Sequence, residues 1–111
     1  MKTVFQQIID REIPADIVYE DEEVCAFRDI NPKAPVHILI IPKKPIVSMS
    51  AMAEADIPLI GKLFHAAKKI ADGEGLKDFR LVTNNGAGAG QTVFHLHVHL
   101  LGGRMFTWPP G

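Results

Sequence analysis

The sequence predicts an α+β domain: an antiparallel sheet of about five strands with two helices. Three observations carry this. Short apolar runs at residues 17–19, 24–27, 36–41 and 79–82 are bounded by turn-forming residues. Residues 3–11 and 56–72 space their apolar side chains at helical intervals. Residues 94–104, FHLHVHLLGGR, alternate with a period of two. No linker, repeat or low-complexity stretch divides the 111 residues, so one domain over 1–111 is expected.

Each element has a local reason. Thr3 can cap a short helix whose Val4, Phe5, Ile8 and Ile9 fall on one side, and Pro14 ends that segment. Residues 17–19 and 24–27 flank an acidic turn and read as a hairpin. Asp29, Ile30, Asn31 and Pro32 form a turn. Residues 36–41 are almost wholly apolar, as in a central strand covered on both faces, with His37 their one polar member. Pro58 suits the first turn of the long helix, and Gly73 and Gly75 suit its end. Its apolar stripe is Ile57, Ile60, Leu63, Phe64, Ala67, Ile70 and Ala71. Residues 79–82 form a strand, and 84–90 a glycine-rich loop before the histidines.

The whole chain sets limits. A domain of this length buries roughly 60 to 70% of its unfolded surface, enough for one core. The net charge of −1 gives no basis for nucleic acid or an anionic membrane as a partner. Charges at the N-terminus come too early for a secretory signal, and no apolar run approaches the ~20 residues of a membrane helix. The one cysteine, Cys25, sits in an apolar run and reads as a small buried hydrophobe. A reducing, cytoplasmic setting is expected.

His95, His97 and His99 recur at the strand period, so their imidazoles leave one face while Leu96, Val98 and Leu100 leave the other. Three readings compete. The rings are structural and satisfied by neighbours; or they share a metal such as zinc, for which no clear carboxylate or thiolate partner lies nearby; or one is a nucleophile supported by the others. The preceding residues 84–92, NNGAGAGQT, favour the third. Their glycines let backbone N–H groups approach phosphate oxygens, although the Gly-Lys-Ser/Thr ending of a P-loop is missing.

FHLHVHLLGGR resembles the His-φ-His-φ-His-φ-φ motif of the histidine-triad (HIT) superfamily. DINPKAPVHILIIPKK, NNGAGAGQTVFHLHVHLLGGR and the terminal WPPG resemble its Hint branch, whose members are nucleoside phosphoramidases, and the similarity runs end to end. It implies a HIT-like fold and hydrolysis of the P–N bond of purine nucleoside 5′-phosphoramidates, such as AMP-amine conjugates, through a nucleotidyl-histidine. It implies no cofactor and no metal. By the resemblance His97 is the nucleophile, His95 supports its ring through a main-chain carbonyl, and His99 contacts phosphate and leaving group. His37 stands behind the triad. Asn84, Gln91 and Thr92 contact phosphate or the departing group, with N–H groups near Val93. Asp29 binds the ribose. Phe5, Ile8, Ile13, Phe27 and Ile30 line the base pocket. Trp108 reaches across a homodimer toward the partner's site. Arg28 stands where many relatives have histidine and adjoins the base site, and Thr92 stands where they commonly have serine. Three alternatives remain: a dinucleoside polyphosphate hydrolase, a nucleotide-binding interaction module with little activity, and a zinc-binding protein. From pattern alone His37 is as well explained as a core histidine.

Overall fold

A computed structural model describes residues 1–111. Helix α1 is Val4–Ile9 and helix α2 is Ile57–Gly73. The strands are β1 (Ile17–Glu20), β2 (Val24–Arg28), β3 (Val36–Pro42), β4 (Phe79–Val82) and β5 (Val98–Gly102). They form one sheet in the order β1-β2-β3-β5-β4, antiparallel throughout. The five-stranded antiparallel sheet with two helices is the architecture the periodicities predict.

Parity along the strands divides the core. On β3, Ile38 and Ile40 face α2, where they meet Val24, Ala26, Leu63, Ala67, Ala71, Leu96, Val98 and Leu100. Leu39 and Ile41 face the other way, against Cys25, Phe27 and the α1 residues Phe5 and Ile8. Burying each such Ile, Leu or Phe contributes about 1.5–3 kcal/mol, so both layers are firmly held. Helix α1 begins at Thr3 as expected, its hydroxyl accepting from the N–H of Gln6 at 3.1 Å. Cys25 is fully buried, and burial pushes its thiol up.

The apolar stripe of α2 is narrower than its sequence suggests. Leu63, Ala67, Ile70 and Ala71 are buried, joined by Ala66, but Ile57 and Phe64 are exposed. These two lie seven positions apart, about two turns, on one flank of the stripe. Val4 of α1 is likewise exposed.

The histidine strand is also shorter than predicted. Its ladder begins at Val98, so only His99 belongs to a strand, and His95 and His97 precede it. β4 runs out here, and the chain upstream of Val98 leaves β3, which itself continues to Pro42. β4 ends at Val82, opposite His99, and the last β3 partner is Ile40, opposite Val98. Alternation nevertheless persists upstream. The carbonyl of Ile46 accepts from Leu96 N–H at 2.7 Å, and Leu96 packs with Val98 and Leu100 in the α2 layer. The imidazoles thus share the α1 side, with the ring of Phe5 beside both His95 and His97.

Candidate active site

The rings of His95 and His97 are each held by a different backbone carbonyl. His95, almost fully buried, donates from Nε2 to the carbonyl of Pro42 at 2.7 Å. The carbonyl of His95 in turn accepts from Nδ1–H of His97 at 2.7 Å. That hydrogen bond leaves Nε2 of a neutral His97 with its lone pair. Phe5 meets the His97 ring edge-on, centroids 5.0 Å apart, and the carbonyl of His97 accepts from the Thr83 hydroxyl at 2.8 Å. His97 therefore has a fixed position and a fixed tautomer.

Strands β3 and β5 bring His37 to His99. Leu39 pairs directly with His99, so His37 reaches it diagonally, Nε2 to Nδ1 at 2.9 Å. The N–H of Lys33 donates to His37 Nδ1 at 3.0 Å, and Asp29 Oδ2 lies 3.5 Å from His37 Nε2. The His97 and His99 rings stand 5.0 Å apart. Burial makes all four rings weaker bases than usual. It pushes His99 down to about 4, with His97 and His37 adding to the effect and Asp29 opposing it. Burial also lowers His37, His95 and His97, opposed chiefly by Asp29, the Pro42 carbonyl and the His95 carbonyl respectively. Neutral imidazoles at neutral pH follow.

A cavity of about 260 Å³ opens on this side of the sheet. Phe5, Ile8, Ile13, Phe27 and Ile30 all line it, with Asp29 at its polar edge and Val93 at the side of the glycine loop. Val4, Pro14, Ala15 and Leu39 also line it and escaped the sequence reading. Leu39 was open to inference, since it lies two positions from His37 on one strand and so shares its face. Ile30 is 91% exposed and forms the rim. Arg28 borders the cavity, but Glu74 draws its guanidinium to the end of α2 with contacts of 2.9 and 3.0 Å.

The glycine loop differs from the open cradle that its composition suggests. Gly86 and Gly90 take positive φ, near +92° and +95°, and fold residues 86–91 back on themselves. The N–H groups of Ala89, Gly90 and Gln91 all donate to loop carbonyls. Gln91 is buried, and its amide accepts from Gly86 N–H and donates to the carbonyls of Val47 and Val93. Its side chain is therefore a strut inside the loop, with no amide group left for a phosphate, contrary to the expectation from resemblance. The N–H groups of Thr92 and Val93, by contrast, donate to nothing within the chain. Thr92 is exposed and Asn84 half-buried at the two ends of the loop. Trp108 is exposed and does not line the cavity of its own chain.

The sequence reading found no carboxylate near the histidines, and here the structure corrects it. Asp29, His37 and His99 each offer one ligand atom, all within 4.8 Å of one another. Asp29 is 70 positions from His99, too remote for spacing to show the contact.

The sequence profile of the HIT domain matches residues 10–106. The chain belongs to the HIT family. It is 60% identical over 110 residues to an uncharacterized HIT-like protein of Synechocystis, covering 98% of this chain and 96% of that one. A 14 kDa zinc-binding protein of Zea mays is 53% identical, with 98% and 88% covered. HINT1 of Arabidopsis thaliana, an adenylylsulfatase, is 49% identical, with 98% and 76% covered. Among solved structures, a HIT family hydrolase from Legionella pneumophila superposes with a TM-score of 0.96 at 49% identity, covering 99% of this chain and all of that one. The HIT relationship thus accounts for the fold.

Proposed function

We propose that this HIT protein is a hydrolase that cleaves the P–N bond of purine nucleoside 5′-phosphoramidates. The observation that carries the reading is His97: its Nδ1–H is tied to the His95 carbonyl, so Nε2 keeps its lone pair as a neutral nucleophile, and its ring packs against Phe5, which lines the apolar cavity. In the first step Nε2 attacks the α-phosphorus, the P–Nε2 bond forms, and the P–N bond breaks. The departing amine takes up one proton, through His99 or the Thr92 hydroxyl. In the second step water attacks phosphorus, the P–Nε2 bond breaks, and the water's proton goes back to the His99 or Thr92 group that passed one to the amine, releasing His97 and the nucleoside monophosphate. The N–H groups of Thr92 and Val93 stabilise the phosphoryl oxygens. Asn84 contacts the departing group from the far end of the loop. The apolar cavity takes the base, and Asp29 the ribose.

The reading extends to a cytoplasmic homodimer in which Trp108 approaches the partner's site. No helix is long and apolar enough to cross a membrane. Light scattering of the purified chain tests the dimer. Rapid quench with an AMP-amine conjugate, followed by intact-mass analysis, tests the chemistry. A nucleotidyl adduct that maps to His97 and turns over supports the proposal, and tight AMP binding with no adduct favours an interaction module instead. Faster turnover of a diadenosine polyphosphate than of the AMP-amide would favour the polyphosphate hydrolase.

One observation favours a second property, zinc binding at Asp29, His37 and His99. The donor set suits zinc in kind. Its geometry is closed, since Zn–N bonds of about 2.0–2.1 Å in a tetrahedral site need nitrogens roughly 3.4 Å apart, and His37 and His99 stand 2.9 Å apart. A zinc ion would have to part them and displace the hydrogen they share.

A further inference from the structure

The Gly102-Gly103-Arg104 sequence that closes β5 has no part in the chemistry above, yet it is built against the residues that hold His37. A Cβ on Gly102 would meet the side chain of Leu76 at 2.5 Å. Gly103 has φ near +90°, and a Cβ there would meet Pro35 at 2.9 Å. Gly103 lets the 32–35 segment close over the end of the strand, while Gly102 makes room for Leu76 beyond α2. Arg104 then secures that segment: its Nε donates to the Lys33 carbonyl at 3.0 Å and its Nη1 to the Met105 carbonyl at 3.0 Å. Its guanidinium lies over the ring of Phe106, 4.2 Å from the centroid.

Lys33 is thereby held at its carbonyl by Arg104, while its N–H points at Nδ1 of His37 from 3.0 Å. An N–H can approach only an unprotonated ring nitrogen, so a neutral His37 carries its hydrogen on Nε2. The nearer acceptor for that hydrogen is His99 Nδ1 at 2.9 Å, ahead of Asp29 Oδ2 at 3.5 Å. A nitrogen that accepts bears no hydrogen, so His99 carries its own on Nε2. We propose that Arg104 is a positioning residue that, through Lys33, sets the tautomers of His37 and His99, so that His99 presents an N–H rather than a lone pair to the phosphate and departing amine. The substrate half of this statement rests on the phosphoramidase reading, whereas the tautomers do not.

The test uses the full chain labelled with 15N-histidine. Long-range 1H–15N correlation at neutral pH reads the tautomer of each ring without ligand. The expected result is Nε2–H for His37 and His99. Arg104→Met releases Lys33, and the Nε2–H signals of both rings should give way to mixtures. Arg104→Lys, which can still donate to the Lys33 carbonyl, should restore them. Turnover of an AMP-amide should fall about tenfold in kcat in Arg104→Met, as for other lost supporting contacts, with KM within about twofold, and recover in Arg104→Lys. If Arg104→Met fails to fold, Lys33→Pro removes the N–H while leaving Arg104, and carries the same expectation for the rings. A wild-type His99 with its hydrogen on Nδ1, or unaltered tautomers in the folded variant, would overturn the proposal. The expected tautomers in a protein that turns over no phosphoramidate would sink the functional reading and leave the tautomer assignment standing.

Discussion

Nε2 of His37 stands 2.9 Å from Nδ1 of His99, a contact between residues 62 positions apart made on the diagonal of the β3–β5 pair. It couples the central strand to the triad. His99 cannot gain a proton on Nδ1 without breaking this contact, because a shared N–H···N contact holds only one hydrogen, and His37 cannot gain one on Nδ1 without losing the Lys33 N–H.

The first prediction concerns His97. His97→Ala removes the nucleophile and its contact with Phe5 but leaves every ladder residue of the sheet in place. Turnover of an AMP-amide should fall by about 10³-fold or more, and the quenched adduct should vanish. Circular dichroism should be unchanged. An adduct persisting in that variant would move the chemistry to another residue.

A second prediction follows from the weakened basicity of the rings. His99 falls from its ordinary 6.5 to about 4 in the folded chain. The unfolded chain therefore binds the proton first as pH falls. This contribution to stability is complete above about pH 6.5 and is lost as pH drops toward about 4. Melting temperatures should decline across that window. His97 is displaced in the same direction, so the acid limb of kcat/KM should have its midpoint below 6.5. A limb centred above 6.5 would contradict a neutral, buried nucleophile.

Phe5 serves the core and the cavity at once, packing edge-on to Phe27 at 5.4 Å while flanking His97. Truncation to alanine should cost about 3–5 kcal/mol of stability, the usual range for a buried phenylalanine. Phe5→Leu is the milder probe. Its KM for an AMP-amide should rise, while a phosphoramidate lacking the base should show a smaller change. Equal effects on both substrates would mean that the cavity does not hold the base.

Gln91 yields a fourth. Gln91→Ala removes the partners of Gly86 N–H and of two carbonyls, each worth about 0.5–1.5 kcal/mol as a net hydrogen bond. Hydrogen exchange at Gly86 should accelerate, and melting temperature should drop. Gln91→Glu keeps an acceptor for Gly86 and should protect that amide better than alanine does.

The zinc reading makes an opposed pair of expectations. If the ion must part His37 from His99, zinc should inhibit turnover and chelators should not. Asp29→Asn should weaken zinc binding, measured by competition with a chromophoric chelator. Activity that requires zinc, restored after chelation only by the metal, would reverse this picture.

Much of this was legible in the sequence because it rests on period and punctuation. Residues 36–41 identify the central strand by their β-branched run, and Thr3 marks the start of α1 by its capping hydroxyl. The pocket residues Phe5, Ile8, Ile13, Phe27 and Ile30 do meet around one cavity, although only the family resemblance singled them out from ordinary core. What spacing missed depends on partners. The ladder at His95 and His97 fails because β4 ends and Leu96 N–H turns to the Ile46 carbonyl rather than to β3, which no feature of FHLHVHLLGGR records. Gln91 turns inward because Val47, 44 positions away, offers a carbonyl. Asp29 reaches His37 because a tight turn doubles the chain back before β3, and Ile57 and Phe64 stay exposed on the flank of α2 beside its buried stripe.

The two-sided sheet has a genetic consequence. Odd-numbered positions near the triad carry imidazoles, and even-numbered ones carry the aliphatics under α2. Loss or gain of a single codon between Thr92 and Val98 would exchange the two sets upstream of the ladder, pushing polar rings into oil and greasy side chains toward the cavity. This stretch can therefore drift by substitution but scarcely by length.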